Sequence, residues 1–204
     1  MSKIAIIGAT GRAGSQLLEE ALRRGHSVTA IARNTAKIGE RARVVSKQLD
    51  VLDSEALTAA IAGHDVLISA AHFANVPADK LIGPVKAAGV KRLLVVGGAG
   101  SLLLPDNSRV IDSDDFPEEY LAEASAGALF LDVLRKEQDL DWTFLSPSAE
   151  FVETERTEAF RVGEDHLLFN DAGESRISFA DYAIAMIDEV EKPRFSRTRF
   201  TVGY

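Results

Sequence analysis

The residues best suited to chemistry stand near the start of the chain. Gly8-Ala9-Thr10-Gly11-Arg12-Ala13-Gly14 follows the apolar run Ile4-Ala5-Ile6-Ile7 and leads at once into Ser15-Gln16-Leu17-Leu18-Glu19-Glu20-Ala21-Leu22, whose apolar residues recur at helical spacing. A buried strand, a glycine-punctuated turn and a helix form the first βα unit of a dinucleotide-binding fold. Gly8 lets the chain turn off the strand, Gly11 lets backbone approach a pyrophosphate, and Gly14 lets helix and strand pack closely. Thr10, Arg12 and Ala13 complete the loop. The helix N-terminus offers free N–H groups and a positive dipole end to phosphates.

The second strand (His26 to Ala32) ends in Arg33, at the position that discriminates between cofactors. An acidic residue there binds the adenosine ribose hydroxyls of NAD, whereas arginine accommodates the 2′-phosphate of NADP. Arg33 offers a planar fork to phosphate oxygens, with Arg12 in the glycine loop and Lys37 nearby, so NADP(H) is expected over NAD(H). A plain surface arginine is the alternative. After the fourth strand, Val66 to Ala71, the small residues Ala70 and Ala71 leave room for a ribose. His72 follows, an acid–base candidate by residue type, although a loop histidine without a partner is as well explained as structural. Gly97 and Gly98, after the fifth strand, again let backbone approach a ligand.

These residues need a scaffold, and the order of elements supplies one. Strands and helices alternate through Pro147: a third short strand at Val44, a helix from Ser54 capped by Asp53 or Ser54, a helix from Pro77 to Ala88 interrupted or kinked at Pro84, a helix from Tyr120 to Gln138 with Leu121, Ala124, Ala128, Leu131 and Leu134 on one face, and a sixth strand from Asp141. This predicts an α/β, Rossmann-type doubly wound parallel sheet in a single domain, with about 148–204 as a small C-terminal substrate-side lobe. Within that lobe a short strand is expected at Leu167–Phe169, a helix from Ser178 through Val190, and a last strand from Arg199. The acidic stretch Leu102–Pro117 reads as a lid or pocket wall.

The 204 residues carry a net charge of −8 without any basic run, which argues against a nucleic-acid partner. Without cysteine there are no disulfides, thiolate nucleophiles or Cys-ligated metals, which suits a cytoplasmic protein. No metal site is expected: the aspartates of the acidic loop have no matching histidine or glutamate spacing. The N-terminal apolar run is a strand's length, so neither a signal peptide nor a membrane partner is expected.

The G-x-x-G-x-x-G spacing resembles that of the short-chain dehydrogenase/reductase superfamily. With Val96 to Ser101, Leu140 to Phe144 and Pro147, Arg156-Thr157, Ile177-Ser178 and Asp181-Tyr182-Ala183, nearly the whole chain is similar to the atypical members described as NADH-flavin reductases, which are related to biliverdin reductase B and to NmrA-type redox sensors. The resemblance implies that Asp50 and Val51 contact the adenine and that Ser101, just past the fifth strand, stands at the acceptor; an ordinary turn serine is the other reading. It also places a Y-x-x-x-K pair at Tyr120, where a lysine would assist proton transfer. This chain has Ala124 instead, so Tyr120 lacks its usual helper.

The expected activity is hydride transfer from NADPH to a small-molecule acceptor such as FMN or FAD, on which Phe73, Phe116 or Phe151 could stack. The alternative is an NADP(H)-sensing, NmrA-like binding protein without turnover. A sugar-nucleotide epimerase is disfavoured by the missing lysine and the short C-terminal part. A monomer or homodimer is expected.

Overall fold

The computed structural model describes residues 1–204. Its elements are β1 (Lys3–Ile7), α1 (Arg12–Arg23), β2 (Ser27–Ala32), β3 (Val44–Gln48), α2 (Ser54–Ile61), β4 (Val66–Ser69), α3 (Ala78–Ala87), β5 (Arg92–Val96), α4 (Glu118–Leu134), β6 (Asp141–Ser146), β7 (Glu150–Val152), β8 (Arg161–Gly163), β9 (Arg176–Ser178), α5 (Phe179–Glu191) and β10 (Thr198–Gly203). Eight strands form one sheet in the order β3-β2-β1-β4-β5-β6-β10-β8, parallel except for the final β10–β8 pair. The fold is the doubly wound α/β sheet that the alternation of elements predicts.

Strand alternation assigns the two faces. Ile4 and Ile6 of β1 join a core with α1 and α5, while Ala5 and Ile7 join the opposite core with α2, α3 and α4. Strands buried on both sides read as continuous apolar runs, which is why they were legible. The chain leaves β1 toward β2 and β3, then returns past β1 to β4, β5 and β6. At this reversal the connections diverge and leave a crevice beyond the carboxyl ends of β1 and β4.

In the C-terminal quarter, α5 and β10 stand where the helix and the last strand are expected. β10 pairs with β6 in parallel, β8 pairs with β10, and α5 packs beside α1, so these elements continue the main sheet and its core. What stands apart is the two-stranded β7–β9 ladder and its connections. Leu167–Phe169 is not a strand; His166 makes one isolated bridge to Leu103 of the acidic stretch, which is folded against this region and holds one 3-10 turn at Val110–Asp112. Pro84 does not break α3: the helix continues through it, and Pro84 accepts from the Ala88 N–H at 2.9 Å. In α4, Leu131 and Leu134 are buried as expected, with Gly127 and Phe130, but Leu121 is exposed because Glu118 to Ala122 overrun the sheet into solvent.

Candidate functional site

The glycine loop is shaped by contacts that exclude any side chain. Gly8 has φ +76°, and a Cβ there would stand 2.6 Å from the Ala70 carbonyl oxygen of the neighbouring strand's end. A Cβ on Gly14 would meet the Gly8 oxygen at 2.1 Å, so helix and loop touch backbone to backbone. The Gly8 N–H donates to Ile31 O (2.9 Å) and the Gly11 N–H to Gly8 O (2.9 Å), fixing the turn. Ser15 is the first residue of α1 whose N–H finds a helical acceptor, and Gly11 caps without a side chain. The N–H groups of Arg12, Ala13 and Gly14 therefore have no intramolecular partner. A row of unpaired amides at the positive end of a helix is a cradle for phosphate oxygens.

Beside it lies an open cleft of about 490 Å³, within the size range of ligand sites. It brings together Gly8, Thr10 and Gly11 from the loop, Arg33 and Asn34 after β2, Asp50 and Val51 after β3, and Ala70, Ala71 and His72 after β4. Arg33 is exposed and makes no ion pair or hydrogen bond, so its five donors remain available. The Asp50 carboxylate accepts from the Leu52 N–H (3.0 Å), and Asp53 caps α2 through the Ala56 N–H (3.0 Å). These residues fit a dinucleotide: amides for the pyrophosphate, small side chains for a ribose, and an unpaired cation at the end of β2. Arg12 is not beside Arg33. Its guanidinium lies over the Phe179 ring of α5, 5.4 Å from the centroid, on a separate hollow of about 170 Å³ that it lines with Glu153.

The expected acceptor-side residues do not converge. Past Ala99 the chain turns back, with the Leu102 N–H on Ala99 O (2.9 Å), and buried Leu102 carries Ser101 toward β10. There the buried Arg199 guanidinium donates to Ser101 Oγ (3.4 Å) and to the Asp165 carboxylate, and Ser101 is not among the cleft residues. Tyr120 is 61% exposed, makes no side-chain hydrogen bond and also lies outside the cleft. Phe73 is core, 5.2 Å from Phe130 and 5.9 Å from Phe144 between ring centroids. Phe151 packs on Phe179 (4.2 Å) and Tyr182 (4.6 Å). Gly97 serves strand packing, since a Cβ would lie 2.3 Å from the Phe144 ring, whereas Gly98 faces open space.

His72 has the partner that the sequence did not reveal. Its Nδ1 is 3.3 Å from Glu123 Oε1, and the same carboxylate accepts from the N–H groups of Phe73 (2.7 Å) and Ala74 (3.0 Å). Glu123 is one residue before the position where the superfamily's lysine would stand. Ala124 itself lies against Gly100, where an added Cβ would come within 2.9 Å of the alanine methyl. At this position α4 packs closely on the loop after β5.

The other residues missed in the sequence form a clamp on the C-terminal segment. Buried Asp181 accepts from Tyr204 Oη (2.6 Å), Thr157 Oγ1 (2.8 Å), Thr157 N–H (3.0 Å) and Glu158 N–H (2.9 Å). Burial works to raise its pKa, but these donors outweigh burial and hold it below the usual carboxylate value. Buried Glu20 of α1 likewise accepts from Arg156 (2.6 Å) and Arg24 (2.7 Å); burial opposes ionisation, and the two arginines still leave its pKa lowered. Arg156-Thr157, Ser178 and Asp181, recognisable as sequence landmarks, are thus joints of the fold. Tyr182 is fully buried with its hydroxyl donating to Leu145 O (2.6 Å), and burial pushes its pKa well up.

An unpaired helix N-terminus at the switch point of a doubly wound sheet defines a dinucleotide-binding protein of the oxidoreductase type. The chain belongs to the NAD(P)H-binding family, whose model matches residues 8–190. The uncharacterised YwnB of Bacillus subtilis strain 168 is 41% identical, with 98% of this chain and 97% of YwnB covered. Among solved structures, a protein of Bacteroides thetaiotaomicron provisionally described as an epimerase is 41% identical, with a TM-score of 0.95 over 100% of this chain and 97% of that one. A protein of Streptococcus pneumoniae TIGR4 provisionally described as an NADH-flavin reductase is 35% identical, with a TM-score of 0.86 over 100% and 99%. No helix is long and apolar enough to cross a membrane.

Proposed function

We propose that this protein is an NADPH-dependent reductase acting on a flavin or a similar planar acceptor. The observation that carries the reading is the pairing of the cleft, lined by the unpaired Arg33, with three unpaired amides at the adjoining start of α1. Bound there, the reduced nicotinamide cofactor supplies the hydride. The chain's own work is to hold and orient. The Arg12, Ala13 and Gly14 amides beside the cleft would take the pyrophosphate, and of the residues lining it Asp50 and Val51 would flank the adenine, Ala70 and Ala71 would admit the ribose, and Arg33 would pair with the 2′-phosphate.

No tyrosine–lysine pair is present to move a proton to or from a substrate hydroxyl. That favours an acceptor whose reduction needs no such pair, and a flavin, which can take its proton from water, is one. The description of the Streptococcus pneumoniae relative supports the same acceptor. The epimerase name of the Bacteroides relative fits this site less well, because Ala124 stands where the proton relay's lysine belongs. The test is NADPH oxidation by the purified protein, followed by absorbance with and without FMN, with NADH in parallel. Saturable, flavin-dependent turnover that prefers NADPH is expected. Tight NADPH binding without turnover of any acceptor would overturn the reductase reading in favour of a cofactor sensor.

A further inference from the structure

We propose that Glu123 is a positioning residue for the cofactor cleft, acting through His72 and the loop that follows β4. The inference rests on the dinucleotide reading of that cleft. Glu123 lies on α4, remote in sequence from every cleft residue, yet its carboxylate makes three contacts with one short loop: Phe73 N–H, Ala74 N–H and His72 Nδ1. Ala70, Ala71 and His72, the residues leading into those contacts, form one wall of the cleft. Consecutive N–H groups in a loop need an acceptor, and one carboxylate supplies both here.

The third contact settles the imidazole. A carboxylate only accepts, so at this contact Nδ1 is the donor, and His72, which lines the cleft, is the residue through which the clasp reaches it. Without Glu123 the ring could rotate or exchange tautomers, and the cleft wall would lose its tie to α4. The same turn of α4 places Ala124 on Gly100, so the loops after β4 and after β5 are both referenced to one helical turn. Glu123 thus takes up, by a backbone and imidazole clasp, a place near which other members of the superfamily use a lysine.

The experiment measures NADPH affinity by titration for the wild type, Glu123→Ala and Glu123→Gln, and reads the ring tautomers by ¹⁵N NMR without cofactor. With four histidines in the chain, assignment is tractable. Glu123→Ala is expected to weaken NADPH about tenfold, as for loss of hydrogen bonds to a charged group. Glu123→Gln can keep its oxygen at the Oε1 position, which serves both the Phe73 N–H and His72 Nδ1, but its NH₂ then faces the Ala74 N–H, so the His72 tautomer should persist while affinity falls about threefold. If Glu123→Ala fails to fold, Glu123→Gln decides alone. Unchanged affinity in the variants, or a His72 tautomer indifferent to Glu123→Ala, overturns the proposal while leaving the cofactor reading standing. A wild-type protein that does not bind NADPH would instead remove the cofactor reading.

Discussion

The glycine loop and the segment from Glu150 to Ser178 meet at the N-terminus of α1, and opposite means build them. The loop is backbone throughout: Gly8 against Ala70, Gly14 against Gly8, and amides left open for a ligand. The segment has little regular structure and is held by buried side-chain charge, with Arg156 on Glu20 and the Thr157–Glu158 turn on Asp181. Backbone packing tolerates no added atom, yet it is independent of pH. A charge clamp tolerates shape changes, but it depends on ionisation. The cofactor half should therefore be rigid and sterically intolerant, and the C-terminal segment should be the acid-sensitive part.

The harshest way to break the comparison is Gly14→Ala. Its Cβ would face the Gly8 oxygen at 2.1 Å, so the loop or α1 must move. We expect about 3 kcal/mol of destabilisation, at the upper end for overpacking, and loss of measurable NADPH binding in a titration of the folded fraction. A variant that binds normally would show the loop to be more pliable than the packing implies.

Asp181→Asn attacks the other region. An amide puts donors against the Thr157 and Glu158 N–H groups, so chemical denaturation should show a loss of about 3 kcal/mol, whereas NADPH affinity should stay within about twofold. The pH dependence follows in sign. Asp181 and Glu20 both have lowered folded pKa values, so their stabilisation is present above the unfolded carboxylate range and is lost as pH falls through the folded values, below the ordinary carboxylate range. The wild type should lose stability steeply there, and Asp181→Asn should flatten that fall. An unaltered acid limb would place the sensitivity elsewhere.

Arg33→Ala sharpens the cofactor side. Removing the free guanidinium should weaken NADPH by about 2 kcal/mol, roughly thirtyfold, while NADH changes by less than twofold. Equal losses for the two cofactors would detach Arg33 from the 2′-phosphate. The smallest effect expected is that of Ser101→Ala. Its hydroxyl accepts one long bond from Arg199 (3.4 Å) and the residue does not line the cleft, so stability should change by less than about 0.5 kcal/mol and flavin-dependent turnover by less than twofold. A large fall in turnover would restore Ser101 to the acceptor.

The sequence by itself determined the Rossmann-type sheet, the glycine loop at the head of α1, the caps at Asp53 and Ser178, and the grouping of Arg33, Asp50, Ala70 and Ala71 at the strand ends. Each depends on residues close in the chain: an apolar run, a glycine where no side chain fits, a short polar residue before a helix. Only the tertiary structure decided the rest. Whether Ser101 faces a ligand depends on Arg199, 98 positions away, and the partner of His72 comes from 51 positions away. The C-terminal strand joins the main sheet because β6 leaves its edge open to β10, which no periodicity announces. Glu20 and Asp181, charged residues on amphipathic helices, look like solvated positions until their distant donors are known. Local pattern reports on which elements form; side-chain orientation and charge pairing depend on contacts between distant segments, and those exist only once the sheet has closed.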